Sequence, residues 1–198
     1  MKSETFFAQR IFPLIFMAAV TTVAITLVTG LHLLTEEQVQ RNELIFERQA
    51  ILDAAGIEFD PDDPDDIERV FEQRVTRENG WYSVQLPEDE RGYVIPITGA
   101  GLWGPIEMML GFYEDLERMT GIAILSHNET PGLGARIEQR SFTEQFRGKA
   151  GPFEMVDEGT ADGDHEIDGL TGATRTTEAV EGIINRGVRN APNVVRGE

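Results

Sequence analysis

Between Arg10 and Glu36 the chain runs for 25 residues without a charged side chain, IFPLIFMAAVTTVAITLVTGLHLLT. A helix of that length rises about 37 Å, enough to cross a hydrocarbon core of about 30 Å with some tilt. Cleavable secretory signals have an apolar run of only about 7–15 residues. The length therefore favours a retained span over cleavage near Ala18 and Ala19. Residues 11–35 are read as a transmembrane helix, with residues 1–10 as a short cytoplasmic N-terminus. Lys2 and Arg10 precede the span, and Arg41 and Arg48 follow it, so positive charge alone does not set the direction. The long acidic remainder does, because large domains are translocated largely regardless of their charge. His32, at the far end of the span, is read as interfacial.

The chain as a whole is strongly acidic: 17 Lys and Arg against 35 Asp and Glu give a formal charge of −18. That balance opposes nonspecific attraction to nucleic acid or to an anionic lipid surface. The sequence contains no cysteine, which excludes disulfides, thiolate nucleophiles and Cys-ligated metal or iron–sulfur sites. The acidic stretch EFDPDDPDDIE invites a calcium reading. Counting from Asp60, however, the sixth and twelfth positions of an EF-hand loop hold Asp65 and Phe71, where Gly and a bidentate Glu are needed. A helix start explains the stretch better: Asp63 as N-cap, Pro64 at the first helical position, and Asp65 and Asp66 complementing the dipole of a helix that reaches about Arg74.

Residues 36–80 therefore read as a juxtamembrane helical and acidic region, with Gly56 stopping the first helix. From Trp81 the texture changes to short runs of β-branched, aromatic and aliphatic residues set off by Gly and Pro: WYSVQL, GYVIPI, PIEMMLGFY, MTGIAIL and a shorter FEMV. FYEDLERMTGIAIL predicts a hairpin turning near Asp115 and Leu116, and GAGLWGPI predicts a loop between strands. The C-terminal pattern is helical, with Val180, Ile183, Ile184 and Val188 on one face. The expected fold is α+β: one N-terminal transmembrane helix, then a single domain over residues 81–198 with a largely antiparallel sheet and flanking helices.

Just before that last helix stands DGLTGATRTTEAV, residues 168–180. Thr174, Thr176 and Thr177 lie at or beside a first helical turn, where unpaired N–H groups and the dipole favour an anion. Gly172 and Ala173 let the backbone come close to a ligand. The Walker pattern GxxxxGK[ST] and the dinucleotide pattern GxGxxG are both absent. By residue type alone, threonines that merely cap the helix are the better account. The sequence shows no catalytic nucleophile motif, and His127, Asn128 and Glu129 fall short of a zinc ligand set.

DGLTGATRT fits in full the motif Dxx[ST]GA[ST]xT and so resembles the covalently FMN-bearing subunits RnfG, of the Rnf complex, and NqrC, of the sodium-translocating NADH:quinone oxidoreductase. ETPGLG at 129–134 resembles the flavin-contacting loop of that family, and GLWGPI at 101–106 is similar to the corresponding loop of NqrC. Thr171 stands where many members have Ser, and Arg175 where a small apolar residue is common. The resemblance implies FMN esterified through its phosphate to the hydroxyl of Thr176 by a separate magnesium-dependent flavin transferase that uses FAD. Such an ester requires that hydroxyl to face outward at the helix mouth, near the 129–134 loop. Phosphate donors would come from Thr171, Gly172, Ala173 and Thr174, with Arg175 as a counter-charge. Asp168 would be recognised by the transferase or cap a turn.

The resemblance further places Trp103 and Leu133 against the isoalloxazine, with Glu129, Thr130, Gly132 and Gly134 at its polar edge. A core aromatic beneath a β-turn is the other reading of Trp103. The function implied is electron transfer by a single-pass protein of the inner, cytoplasmic membrane. Its FMN domain would lie on the periplasmic side, partnered by the other subunits of an Rnf or Na+-NQR complex. A membrane-anchored module that holds a phosphate-bearing ligand reversibly is the alternative.

Overall fold

The computed structural model describes residues 10–197. The cytoplasmic N-terminus expected over residues 1–10 thus lies, except for Arg10, outside the described residues. Helix α1 spans Phe12–Ala55, and over residues 12–34 its large apolar side chains are exposed all round. Among the described residues it is the one helix long and apolar enough to cross a membrane. It ends where the sequence predicts: Gly56 adopts φ +71°, and the Ile57 N–H returns to the Leu52 carbonyl at 3.0 Å, a Schellman-type close.

The contacts divide the chain after Leu44, and the second compact unit begins at Ile45. That is well upstream of Trp81, where the sequence texture changes. Residues 50–75 belong to the domain because Ile51, Leu52, Ala54, Ile67 and Val70 are buried in one of its two cores. Helix α2, Pro64–Arg74, forms as expected. Asp63 caps it by accepting the Asp65 N–H at 3.0 Å, and Pro64 occupies its first position.

The centre of the unit is a five-stranded antiparallel meander in sequence order: β1 Val75–Arg77, β2 Tyr82–Gln85, β3 Arg91–Ala100, β4 Pro105–Tyr113 and β5 Met119–Ser126. The β4–β5 turn falls at the predicted place, with Leu116 at φ +57° and Asp115 Oδ1 accepting the N–H groups of Glu117 and Arg118. A separate parallel pair follows, β6 Glu154–Val156 with β7 Glu166–Asp168. Helix α3 is the single turn Arg140–Thr143, and helix α4 is Thr174–Arg196.

Both faces of the meander are covered. Side chains alternate along a strand, so on β4 Met108, Leu110 and Phe112 enter one core while Met109 enters the other. The first core receives Val180, Ile183 and Ile184 from α4, together with Phe142, Phe146 and Phe153. The second receives the last turns of α1, and α2. There β4 needs glycine at 111: a Cβ at that position would run into the Ala54 carbonyl and the Thr120 hydroxyl, which are themselves hydrogen-bonded at 2.7 Å. On the same side the Tyr82 hydroxyl donates to Glu47 at 2.7 Å, and burial, with that carboxylate beside it, pushes the phenol up to about 12.

Candidate cofactor-binding site

Three chain segments converge beside the first turn of α4. Leu102 and Trp103 come from the β3–β4 turn; Glu129, Thr130, Leu133 and Gly134 from the loop after β5; and residues 172–176 from the entry to α4. They enclose a cavity of 360 Å³, within the range of about 300–1,000 Å³ usual for small-molecule and cofactor sites. Its rim is apolar and open: Trp103 is 67% exposed, Leu102 44% and Leu133 46%. Trp103 is therefore not a core aromatic. Leu102, which sequence reasoning passed over within GLWGPI, shares the rim with it.

The polar end of the cavity is a buried pair. Thr176 Oγ1 donates to Glu129 Oε2 at 2.6 Å, and the two residues are only 2% and 4% exposed. The other oxygen, Glu129 Oε1, accepts the N–H groups of Leu102 at 2.8 Å and Trp103 at 3.1 Å, which ties the β3–β4 turn to the 129–134 loop. The Glu129 N–H donates to His127 Nδ1 at 2.9 Å, so the neutral ring carries its proton on Nε2, which lies 2.8 Å from Glu138 Oε1. Gly134 allows this close approach, because a Cβ there would sit 2.7 Å from Thr176 Oγ1 and 2.9 Å from Glu129 Oε2.

The expectation of an outward-facing Thr176 hydroxyl is thus corrected. The oxygen is buried, but it lies at the wall of the cavity and against the 129–134 loop. The capping account of the threonines also fails. The N-cap of α4 is Ala173, and no side chain caps it. Thr177 instead donates its hydroxyl to the Ala173 carbonyl at 3.0 Å and accepts the Leu170 N–H at 3.3 Å. The start of α4 consequently faces the cavity without a capping side chain, through Thr174, Arg175 and Thr176. This is the arrangement in which a helix terminus receives an anionic group.

Two sequence-based candidates lie outside the cavity lining. Gly132 is exposed at the tip of its loop, in a turn with φ +77°. Thr171 is also exposed, and its N–H is engaged by Glu158 Oε2 at 2.8 Å, which corrects its reading as a phosphate donor. Glu158 also accepts from Arg136 Nη2 at 2.5 Å, and it had no sequence signal. Arg136, followed by the Thr171 N–H, holds its carboxyl down at about 2. Asp168 caps a turn: its Oδ1 accepts the N–H groups of Gly159, Thr160 and Ala161, each at 2.9 Å.

A pH dependence follows from the Glu158 tie. With its folded value lowered from 4.5, the tie stabilises fully above pH 4.5 and fades as pH falls towards 2. The gap in melting temperature between the parent chain and Glu158→Gln is expected to stay constant from pH 5 to 8. It should close between pH 4.5 and 2 in a thermal-denaturation series.

A polar wall with a buried hydroxyl–carboxylate pair, an uncapped helix start and an open apolar rim would suit a planar ligand carrying a phosphate. Residues 101–189 match the FMN-binding domain family. The chain is 34% identical over 118 residues to the G subunit of the proton-translocating ferredoxin:NAD(+) oxidoreductase complex of Clostridium ljungdahlii, covering 60% of each chain. It is 33% identical over 112 residues to the C subunit of the Na(+)-translocating NADH-quinone reductase of Vibrio campbellii, covering 52% of this chain and 43% of that one. The chain thus spans about 43–60% of the length of these relatives. In fold it is similar to the crystal structure of the corresponding Na(+)-translocating reductase component from Parabacteroides distasonis, with a TM-score of 0.67 and 20% identity over 79% of this chain and 94% of that one. The match to the FMN-binding domain family thus falls on the segment that holds the cavity, and over that part the chain is similar to the G and C subunits of these two complexes.

Proposed function

We propose that this chain is a membrane-anchored electron-transfer subunit carrying FMN covalently on Thr176 through a phosphoester, within an ion-translocating NADH:quinone or NADH:ferredoxin oxidoreductase complex. One observation carries the covalent part. Of the three threonines opening α4, Thr174 and Thr176 line the cavity, and Thr176 is the one whose hydroxyl donates to a buried carboxylate, whereas Thr177 donates to the helix backbone. The residues present fit the cofactor: uncapped N–H groups and Arg175 for phosphate charge, Trp103 and Leu133 for an aromatic ring, and Thr130 for a polar edge. Glu129, expected at that edge, instead has its carboxylate oxygens engaged by Leu102, Trp103 and Thr176. When bound, the flavin supplies reversible uptake and release of electrons.

Residues 11–35 anchor the chain in the inner membrane, with the domain on its outer, periplasmic side. Anchoring confines the domain to the membrane plane and raises its effective concentration near the other subunits. No nicotinamide-binding pattern is present in the sequence, so the domain alone turns over little. NADH oxidation and reduction of the final acceptor belong to its partners.

The test uses the full chain produced together with a flavin transferase that takes FAD as donor. After denaturation its intact mass is expected to exceed that of the polypeptide by one FMN less water. A yellow protein that returns to the bare mass on denaturation is a reversible phosphate-ligand module instead.

A further inference from the structure

The mode of attachment at Thr176 can be taken one step further, on the proposal that FMN is esterified there. A threonine hydroxyl is a weak nucleophile until a base within about 2.6–3.2 Å takes its proton. Thr176 Oγ1 stands 2.6 Å from Glu129 Oε2, and both groups are buried. Glu129 is held for that contact, because its other oxygen accepts the Leu102 and Trp103 N–H groups. Three donors face the carboxyl group through these bonds, the pattern that an ionised, acceptor-only carboxylate satisfies.

The other cavity-lining side chains do not compete. Arg175 has no acceptor, and Thr130 and Thr174 are hydroxyls. His127 is outside the lining, and its one acceptor nitrogen is taken by the Glu129 N–H. Thr177 shows the alternative fate of a hydroxyl proton in the same turn, donated to a backbone carbonyl that cannot remove it.

We propose that Glu129 is the general base of the chain's own flavin attachment, so that part of the catalytic machinery resides in the acceptor protein and not in the transferase. The Thr176 oxygen bonds to the phosphorus of the FMN half of FAD. The bond from that phosphorus to the pyrophosphate bridging oxygen breaks, and AMP leaves with its electron pair. The proton of Oγ1 passes to Glu129 Oε2. No oxidation or reduction occurs. The resulting carboxylic acid can donate a hydrogen bond to the new ester, which relieves the repulsion a carboxylate would exert on it.

The experiment follows the rate of mass gain in the full-length chain in detergent with purified transferase, FAD and magnesium. Glu129→Gln has the same shape and can still accept the Leu102 and Trp103 N–H groups, but it cannot take a proton. With an unchanged melting temperature, its rate is expected to fall a hundredfold or more, the usual scale of general base catalysis of about 10²–10⁴. In Glu129→Ala, added formate is expected to restore the rate in proportion to its concentration. A Glu129→Gln rate within threefold of the parent overturns the proposal. Should Glu129→Gln fail to fold, Glu129→Ala decides: rescue by formate supports the base, and no rescue overturns it. The parent chain separates the two levels of inference, because its failure to gain mass removes the covalent reading itself. Normal gain in both parent and Glu129→Gln removes only the role of Glu129.

Discussion

Thr176→Ala, matured alongside the transferase, is expected to keep the mass of its bare polypeptide, whereas Thr177→Ala still gains one FMN less water. The two threonines are adjacent and almost equally buried, at 2% and 3% exposure, so composition and accessibility cannot separate them. Their hydrogen bonds do. Thr177 is a backbone clamp, and its removal leaves the buried Leu170 N–H without a partner, at a cost of about 1–3 kcal/mol. In a domain of this size, each kcal/mol lowers the melting temperature by about 2–4 °C. Thr176 clamps only Glu129, across 47 positions of sequence. Its removal deletes the oxygen that would carry FMN and takes no partner from the backbone of α4. Glu129 Oε2 loses its hydroxyl donor, but it borders the cavity, where water can take that donor's place. The predicted outcomes are therefore crossed: flavin lost with folding kept at 176, flavin kept with stability lowered at 177. In-gel flavin fluorescence reads the first, and thermal denaturation of the unmodified proteins reads the second. Covalent flavin in Thr176→Ala would move the attachment point elsewhere.

How far the sequence reaches depends on the range of the interaction concerned. The cap of α2 at Asp63, the β4–β5 turn at Asp115 and Leu116, and the buried face of α4 are set by residues within one or two turns of each other. Their patterns are visible without a structure. β1 and β7 are three-residue strands whose pairing depends on partners already in place, and so short a run carries no period of its own. The start of the domain, upstream of Trp81, is hidden for a similar reason: residues 50–75 look like a charged helical connector, and only the sheet face they cover shows them to be core.

At the site, the DGLTGATRT motif and the ETPGLG loop could be read individually. That Thr176 and Glu129 form a buried pair could not, because a 2.6 Å contact between residues so far apart in sequence is a product of the tertiary fold. Threonine capping fails for a local reason: the N-cap position of α4 falls on Ala173, whose side chain has no acceptor, and Thr176 and Thr177 already lie inside the helix, pointing to a carboxylate and a carbonyl.

The pairing of Thr176 with Glu129 makes Gly134 a sensitive position at which the chemistry itself is untouched. Gly134→Val is expected to abolish detectable flavin attachment although the motif, the carboxylate and the apolar rim all remain. The first added carbon falls 2.7 Å from Thr176 Oγ1 and 2.9 Å from Glu129 Oε2, and neither oxygen can retreat freely. One is fixed to the first turn of α4, and the carboxylate of the other is tied to the β3–β4 turn. Something must shift, at a cost of about 1–3 kcal/mol for overpacking, and the contact that opens is the one between the hydroxyl and its acceptor. A displacement of about 1 Å at a reacting group can itself cost on the order of a hundredfold in rate. Gly182→Ala is the matched control: it lies on α4, away from the cavity lining, where a Cβ meets nothing within 4 Å. It should gain flavin at the parental rate while stabilising the helix by about 0.5–1 kcal/mol. Full attachment in Gly134→Val would mean that the hydroxyl reacts in an arrangement other than the one in which it lies against Glu129.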